Sequence, residues 1–172
     1  GDVYKRQNVY SSSLRISEHE LNTYMEGIYH AFYSYAEAKQ IKLDYKSNFE
    51  YQNVWFDKEK MDSITKNLIS NAIKYTPAHG EVHIIICHDK DNWSLEITDT
   101  GIGIPAKEQK KLFKLHFRGS NAINAKITGS GIGLMLVWKL VRIHKGKISI
   151  ESVENKGTRV KAVSYTHLTL PT

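Results

Sequence analysis

One cysteine, Cys87, stands in 172 residues, so no intrachain disulfide can form and a reducing compartment is favoured. It falls in the apolar run Val82 to Cys87, where a buried, inert thiol is expected. No stretch approaches the ~20 apolar residues that span a bilayer, and no signal-peptide pattern is present. The lysines and arginines are scattered, with no basic stripe, so nucleic-acid binding is not indicated. Gly-x-x-x-x-Gly-Lys-Ser/Thr occurs nowhere, which excludes a P-loop. Cys and His form no metal-ligand cluster, and no Ser/His/Asp pattern has a recognisable context. There are no internal repeats.

What is present is ordinary for one globular domain with a proper core: 41% hydrophobic and 24% charged residues. The net charge of +6 suits an anionic ligand or an acidic partner surface, and equally a solvated basic surface with no partner.

Taken in order, residues 1–7 and 164–172 show no relation to the pattern between them. Both resemble translated sequencing-adapter read-through and are read as non-native tails around a domain at 8–163. Leu14 to Ile16 reads as a short edge strand. Ser17 offers an N-cap with Glu20 at capping-box spacing. Leu21, Tyr24, Ile28, Phe32 and Tyr35 then predict a helix from about Glu18 to Lys39. Ile41 to Tyr45 and Val54 to Phe56 alternate as strands. Asp57 is a candidate N-cap for a second helix, with Met61, Ile64, Leu68 and Ala72 as its stripe and an end near Tyr75. Glu81 to His88 and Trp93 to Asp99 predict an antiparallel pair joined at Lys90 to Asn92. A short helical piece follows Pro105, and residues 120–128 read as a mobile loop. Leu134, Val137, Trp138, Val141 and Ile143 predict a third helix ended by Lys145 and Gly146, with His144 as a C-terminal cation or cap. Two strands around Asn155 to Gly157 close the sheet. The order predicts a two-layer α/β sandwich: one mixed, mostly antiparallel sheet with three main helices on one face.

Chemistry concentrates in Asp99-Thr-Gly-Ile-Gly-Ile-Pro105, directly after an alternating strand. An ionised Asp only accepts hydrogen bonds, so it can read an exocyclic amine such as that of adenine. Gly101 and Gly103 lack a Cβ, so backbone there can approach a flat ring closely. Upstream stands Lys66-Asn67-Leu-Ile-Ser-Asn71-Ala-Ile-Lys74-Tyr75-Thr-Pro77, where Asn67, Asn71 and Lys74 share a helix face. Downstream stands Thr128-Gly129-Ser130-Gly131-Ile132-Gly133-Leu134, whose alternating glycines do not fit the Rossmann spacing.

These three ordered boxes, over roughly residues 14–163, resemble the catalytic ATP-binding domain of bacterial sensor histidine kinases, in the wider superfamily of gyrase-type and mismatch-repair ATPases. The resemblance implies the Bergerat fold, with ATP and Mg²⁺ as cofactors. Asp99 would accept from the adenine amine and reject GTP, with Gly101, Gly103 and Ile104 beneath the ring. Asn71 would bind Mg²⁺ through its side-chain oxygen, supported by Asn67. Lys74 would place a charge near the phosphates and Tyr75 would flank the nucleoside, or simply pack. Gly129, Ser130, Gly131, Ile132, Gly133 and Leu134 would deliver backbone N–H groups to the triphosphate at a helix N-terminus. Phe113 to Phe117 resembles the Phe box, and Arg118 would reach the terminal phosphate. Asn71, Lys74 and Arg118 are therefore the expected catalytic residues.

The implied activity is transfer of the ATP γ-phosphoryl to a histidine on a separate dimerisation domain, with a response regulator downstream. His19-Glu-Leu-Asn-Thr23 partly matches the family's phosphoacceptor box, but lacks its basic residue and proline. The 52 positions from His19 to Asn71 are too few to hold two dimerisation helices. The isolated chain is thus expected not to phosphorylate itself. No nucleic acid and, within this fragment, no membrane contact are expected; the expected setting is cytoplasmic, with anchoring of the parent sensor in a membrane left open. Two alternatives stand beside this reading: an anti-sigma-type serine kinase or ATPase of the same superfamily, and a nucleotide sensor or scaffold without kinase activity.

Overall fold

Alternation along two strands sets the layers. Val82, Ile84 and Ile86 of β4 (Glu81–His88) and Trp93, Leu95 and Ile97 of β5 (Asn92–Asp99) are buried, while the residues between them face outward. The two strands pair antiparallel, with Ile84 opposite Ile97 and Ile86 opposite Leu95. In the computed structural model, which describes residues 13–109 and 132–166, they are the middle of a five-stranded sheet. Its order is β2 (Lys42–Ser47), β4, β5, β7 (Gly157–Tyr165), β6 (Lys147–Val153). Only β2 pairs parallel, against β4; the other neighbours are antiparallel. A separate two-stranded sheet joins β1 (Ile16–Glu20) and β3 (Asn53–Asp57) antiparallel.

Three main helices cover the inner face: α1 (Leu21–Ala38), α2 (Lys58–Lys74) and α4 (Ile132–Ile143), with the single turn α3 (Ala106–Gln109) between the last two. Leu21, Met25 and Ile28 of α1 join Ile64, Leu68 and Ile69 of α2 and Leu134, Val137 and Leu140 of α4 in one core over the sheet. This is the expected two-layer sandwich.

The sheet's outer face is wet and charged. His83 Nδ1 lies 2.7 Å from Asp44 Oδ1, and Arg159 pairs with Glu96 and, at 3.6 Å, with Glu151. Such exposed pairs contribute little stability. Cys87 belongs to this face and is exposed, not buried as expected, because the strand period turns it away from the core.

Several expected boundaries move. Ser17 does not cap the first helix; residues Ile16 to Glu20 form β1, and His19 sits opposite Val54. The cap is Glu20, whose carboxylate accepts from Thr23 N (2.8 Å), Asn22 N (3.2 Å) and Gln52 N (2.9 Å). Pairing with β3 satisfies backbone that the expected helical turn would have used. The His19 ring stacks on Phe56, with centroids 4.3 Å apart. At the other end β7 runs past Ala162 to Tyr165, and Thr166 donates its N–H to Asp91 O (2.8 Å).

Asp57 joins four pieces of chain. Its carboxylate caps α2 at Lys60 N (3.1 Å), accepts from Arg15 N (2.8 Å), and pairs with Lys60 Nζ (3.3 Å) in the interior. Lys60 Nζ also donates to Ser13 O at 2.9 Å. These donors hold the Asp57 carboxyl below the usual range although burial alone would raise it. The Asp57 N–H donates to His144 Nε2 (3.2 Å), and His144 Nδ1 donates to Leu140 O (2.8 Å). His144 is therefore buried and neutral, its pKa lowered by burial; it is not the expected cation at a helix end.

Candidate functional site

β5 ends on Asp99, and its pleat turns that side chain to the inner face, level with Val82 on one neighbour and Thr158 on the other. Asp99 Oδ1 accepts from Gly101 N (2.8 Å) and Thr158 N (3.2 Å). Among the described residues, Oδ2 has no hydrogen-bond partner. Burial pushes the carboxyl above its ordinary value, and the two N–H donors offset only part of that. The result is a fixed carboxylate with one oxygen occupied and one available.

The turn after Asp99 is packed too closely for side chains at two places. A Cβ on Gly101 would lie 2.6 Å from Tyr75 O and 2.7 Å from Asp99 Oδ1. Gly103 takes φ +68°, where a Cβ is strained in any case, and one there would run into the Val153 carbonyl. Ile102 N donates to Tyr75 O (3.2 Å), and Asn155 N donates to Ile102 O (2.7 Å). The turn is thus pinned between the end of α2 and the β6–β7 hairpin.

Between α2, α4 and the sheet lies an open cleft. Its walls are mostly apolar: Leu68, Ala72, Ile97, Ile104, Leu134, Ile150 and Val160, with Ile102 at the turn. Its polar groups are Asn71, Asp99 and Thr158, with the Tyr75 ring beside them. A mainly apolar cleft with a few convergent polar groups is the form small-molecule sites take.

The expected site residues divide in four. Asn71, Tyr75, Asp99, Gly103, Ile104 and Leu134 share the cleft. Asn71 is half-buried, and its side chain has no hydrogen-bond partner among the described residues. Asn67, Lys74 and Gly101 are not in the lining. Asn67 turns back along its helix, its Nδ2 donating to Ser63 O at 2.6 Å. Lys74 is exposed, its Nζ 5.5 Å from the centre of the Tyr75 ring. Gly101 lies behind Asp99, serving it through its N–H. Arg118, the Phe box, the loop at 120–128, Gly129, Ser130 and Gly131 lie outside the described residues. Ile132 and Gly133 begin α4.

Sequence reading missed Thr158, which both orients Asp99 and lines the cleft, and the apolar wall from β6 and β7. Their signal was the strand pairing itself: Asp99 lies opposite Thr158, and Ile97 opposite Val160. It also missed Lys39, whose Nζ donates to Ile73 O (2.8 Å) and Lys74 O (3.0 Å) at the end of α2. No local pattern announces that contact across 35 positions.

Residues 56–170 match the family described as "Histidine kinase-, DNA gyrase B-, and HSP90-like ATPase". The circadian input-output histidine kinase CikA of Thermosynechococcus vestitus is 40% identical over 104 residues, 60% of this chain and 14% of that protein. The adaptive-response sensory kinase SasA of Synechococcus sp. (strain JA-3-3Ab) is 33% identical over 173 aligned positions, 99% of this chain and 44% of that protein. This chain therefore spans less than half the length of either relative. Among solved structures, the nucleotide-free catalytic domain of histidine kinase ThkA superposes with TM-score 0.77 at 24% identity, covering 89% of this chain and 97% of that one. ThkA in complex with its response regulator TrrA superposes with TM-score 0.68 at 21% identity, covering 96% of this chain and 46% of that one. With sequence and fold in agreement, this chain belongs to the histidine kinase-, DNA gyrase B- and HSP90-like ATPase family.

Proposed function

We propose that the cleft binds Mg-ATP and that the domain donates the γ-phosphoryl group to a histidine on a separate dimerisation domain. The observation that carries the reading is Asp99: a half-satisfied carboxylate held on the floor of a mainly apolar cleft. Its available oxygen suits the exocyclic amine of adenine, and it repels the carbonyl that guanine carries in that place. Tyr75 and the apolar walls enclose the base, and Gly103 lets backbone lie flat beside it.

Asn71 faces the same cleft with an amide oxygen that no described residue engages. Mg²⁺ is commonly held by one or two protein oxygens plus phosphates and waters, so this residue set fits the ion. When bound, Mg²⁺ would supply charge neutralisation along the phosphates. Lys74, exposed beside Tyr75, is proposed to place its charge near the phosphates. Arg118 and the glycines at 129–133 are proposed to complete that end. Phosphoryl transfer of this kind rests on positioning and charge stabilisation more than on covalent catalysis. The wider reading, a two-component kinase of the cytoplasm that passes phosphate to a response regulator, draws support from the kinases this chain resembles.

Calorimetric titration tests the first step. Mg-ATP and Mg-ADP are expected to bind, and Mg-GTP to fail at the same concentrations. Equal binding of GTP would overturn the role given to Asp99. Transfer is tested by adding the fragment and labelled ATP to a histidine-bearing dimerisation domain, with a serine-bearing partner as the control.

A further inference from the structure

The turn that carries Ile104 is held from its far side by one side chain, Gln109. Its amide Nε2 donates to Ile104 O at 2.7 Å and to Ser152 O at 2.9 Å. Ile104 is held at its other peptide too, where its N–H donates to Ser152 Oγ at 2.8 Å. Ser152 Oγ also contacts Gly157 O (3.0 Å) and Thr158 Oγ1 (2.8 Å). Among the described residues β6 is an edge strand, and the outer carbonyls along it have no strand partner there. Gln109 fills that vacancy at Ser152 and ties it to the turn.

We infer that Gln109 is a positioning residue for the base end of the cleft, clamping Ile104 to the β6 edge. The inference rests on the nucleotide reading above. A primary amide has two N–H donors, and here each goes to one carbonyl. Ile104 lines the cleft with its side chain almost fully buried, next to Gly103 and Asp99. Without the clamp, two backbone carbonyls lose their donor and the turn samples other positions. A nucleotide must then fix the turn as it binds, so affinity falls in proportion to the fraction of time the turn is in place. Gln109 is half-buried on a single helical turn, so its loss falls on this local order far more than on the core.

The clamp acts on the base end, so it makes a prediction that a phosphate-end role does not. Gln109→Leu keeps the volume and removes both donors. Its affinity for Mg-ATP and for Mg-ADP is expected to fall by the same factor, about five- to tenfold, as two neutral hydrogen bonds allow. Gln109→Lys restores donors to both carbonyls and is expected to bind within about twofold of the unaltered chain. Calorimetry on the three chains, with circular dichroism to confirm folding, reads all of this. Equal affinity in the Leu variant, loss of ATP but not ADP binding, or a Lys variant as weak as the Leu variant would each overturn the clamp. If the unaltered chain binds neither nucleotide, the nucleotide reading fails and the clamp with it. If the unaltered chain binds and the Leu variant matches it, the clamp fails alone.

Discussion

Thr158 donates its backbone N–H to Asp99 Oδ1 across neighbouring strands, 59 positions apart in sequence. The sheet, together with the local turn at Gly101, fixes the carboxylate that faces the cleft. Burial raises the Asp99 pKa, so from the ordinary carboxylate value upward to the raised one the folded chain binds more protons than the unfolded chain. Stability therefore falls as pH rises through that window, and stays lower at neutral pH. Asp99→Asn keeps an acceptor for both N–H groups and removes the buried charge. The variant is expected to melt a few degrees higher at pH 7, where about 1 kcal/mol shifts a chain of this size by roughly 2–4 °C. Mg-ATP affinity is expected to fall about 10- to 100-fold, the range for a lost charged hydrogen bond. Scanning calorimetry and titration on one preparation check both signs. Unchanged affinity in the folded variant would sink the adenine assignment.

Asn71 makes a second, separable prediction. Its side chain faces the cleft and bonds to no described residue, so Asn71→Ala should change the unfolding free energy by no more than about 0.5 kcal/mol. Mg²⁺ should then strengthen ATP binding much less than it does in the unaltered chain. A large fall in melting temperature without ligand would make Asn71 structural.

Acid sensitivity should trace to His144. Its buried ring is neutral in the fold, so below the ordinary histidine pKa of about 6.5 the unfolded chain takes up more protons. Stability is expected to be full above that pH and to fall as pH drops below it. His19, also lowered by partial burial, adds to the slope with the same sign. His144→Leu removes the titrating ring but leaves the Asp57 N–H without its acceptor, a loss of about 1–3 kcal/mol at pH 7.5. Urea unfolding from pH 7.5 to 5 should show a lower plateau and a flatter slope for the variant. An undiminished slope would place the sensitive group elsewhere.

The isolated chain should not label itself with γ-labelled ATP. His19 is held on β1, its ring on Phe56 and its Nε2 2.7 Å from Ser17 Oγ. In-line transfer needs the attacking nitrogen about 3–3.5 Å from the phosphorus, and a paired strand does not travel. Acid-labile label that disappears in a His19→Ala variant would refute this.

The layers and most elements were legible because strand alternation and helix stripes are local signals. The Asn71, Asp99 and Gly103 part of the cleft was legible for the same reason: each stands in a short motif on a predictable element. Ser17 misled because its capping-box spacing is real, but β1 pairing with β3 outcompetes one helical turn. Asn67 misled because helix-face arithmetic says where a side chain starts, and the Ser63 carbonyl decides where it ends. Thr158, Gln109 and His144 could not be read locally: each acts through a partner brought near only by folding.

The Asp57 node has a practical reading for anyone shortening this chain. Arg15 N–H and the Ser13 carbonyl are partners of an interior ion pair. A chain begun at residue 13 keeps both, while one begun at residue 17 strips a donor from Asp57 and an acceptor from Lys60. Each is a hydrogen bond to a charged group, worth about 1.5–3 kcal/mol. The segment from Ser13 to Ile16 thus carries contacts to the interior, and a deletion series should show a step where it is removed.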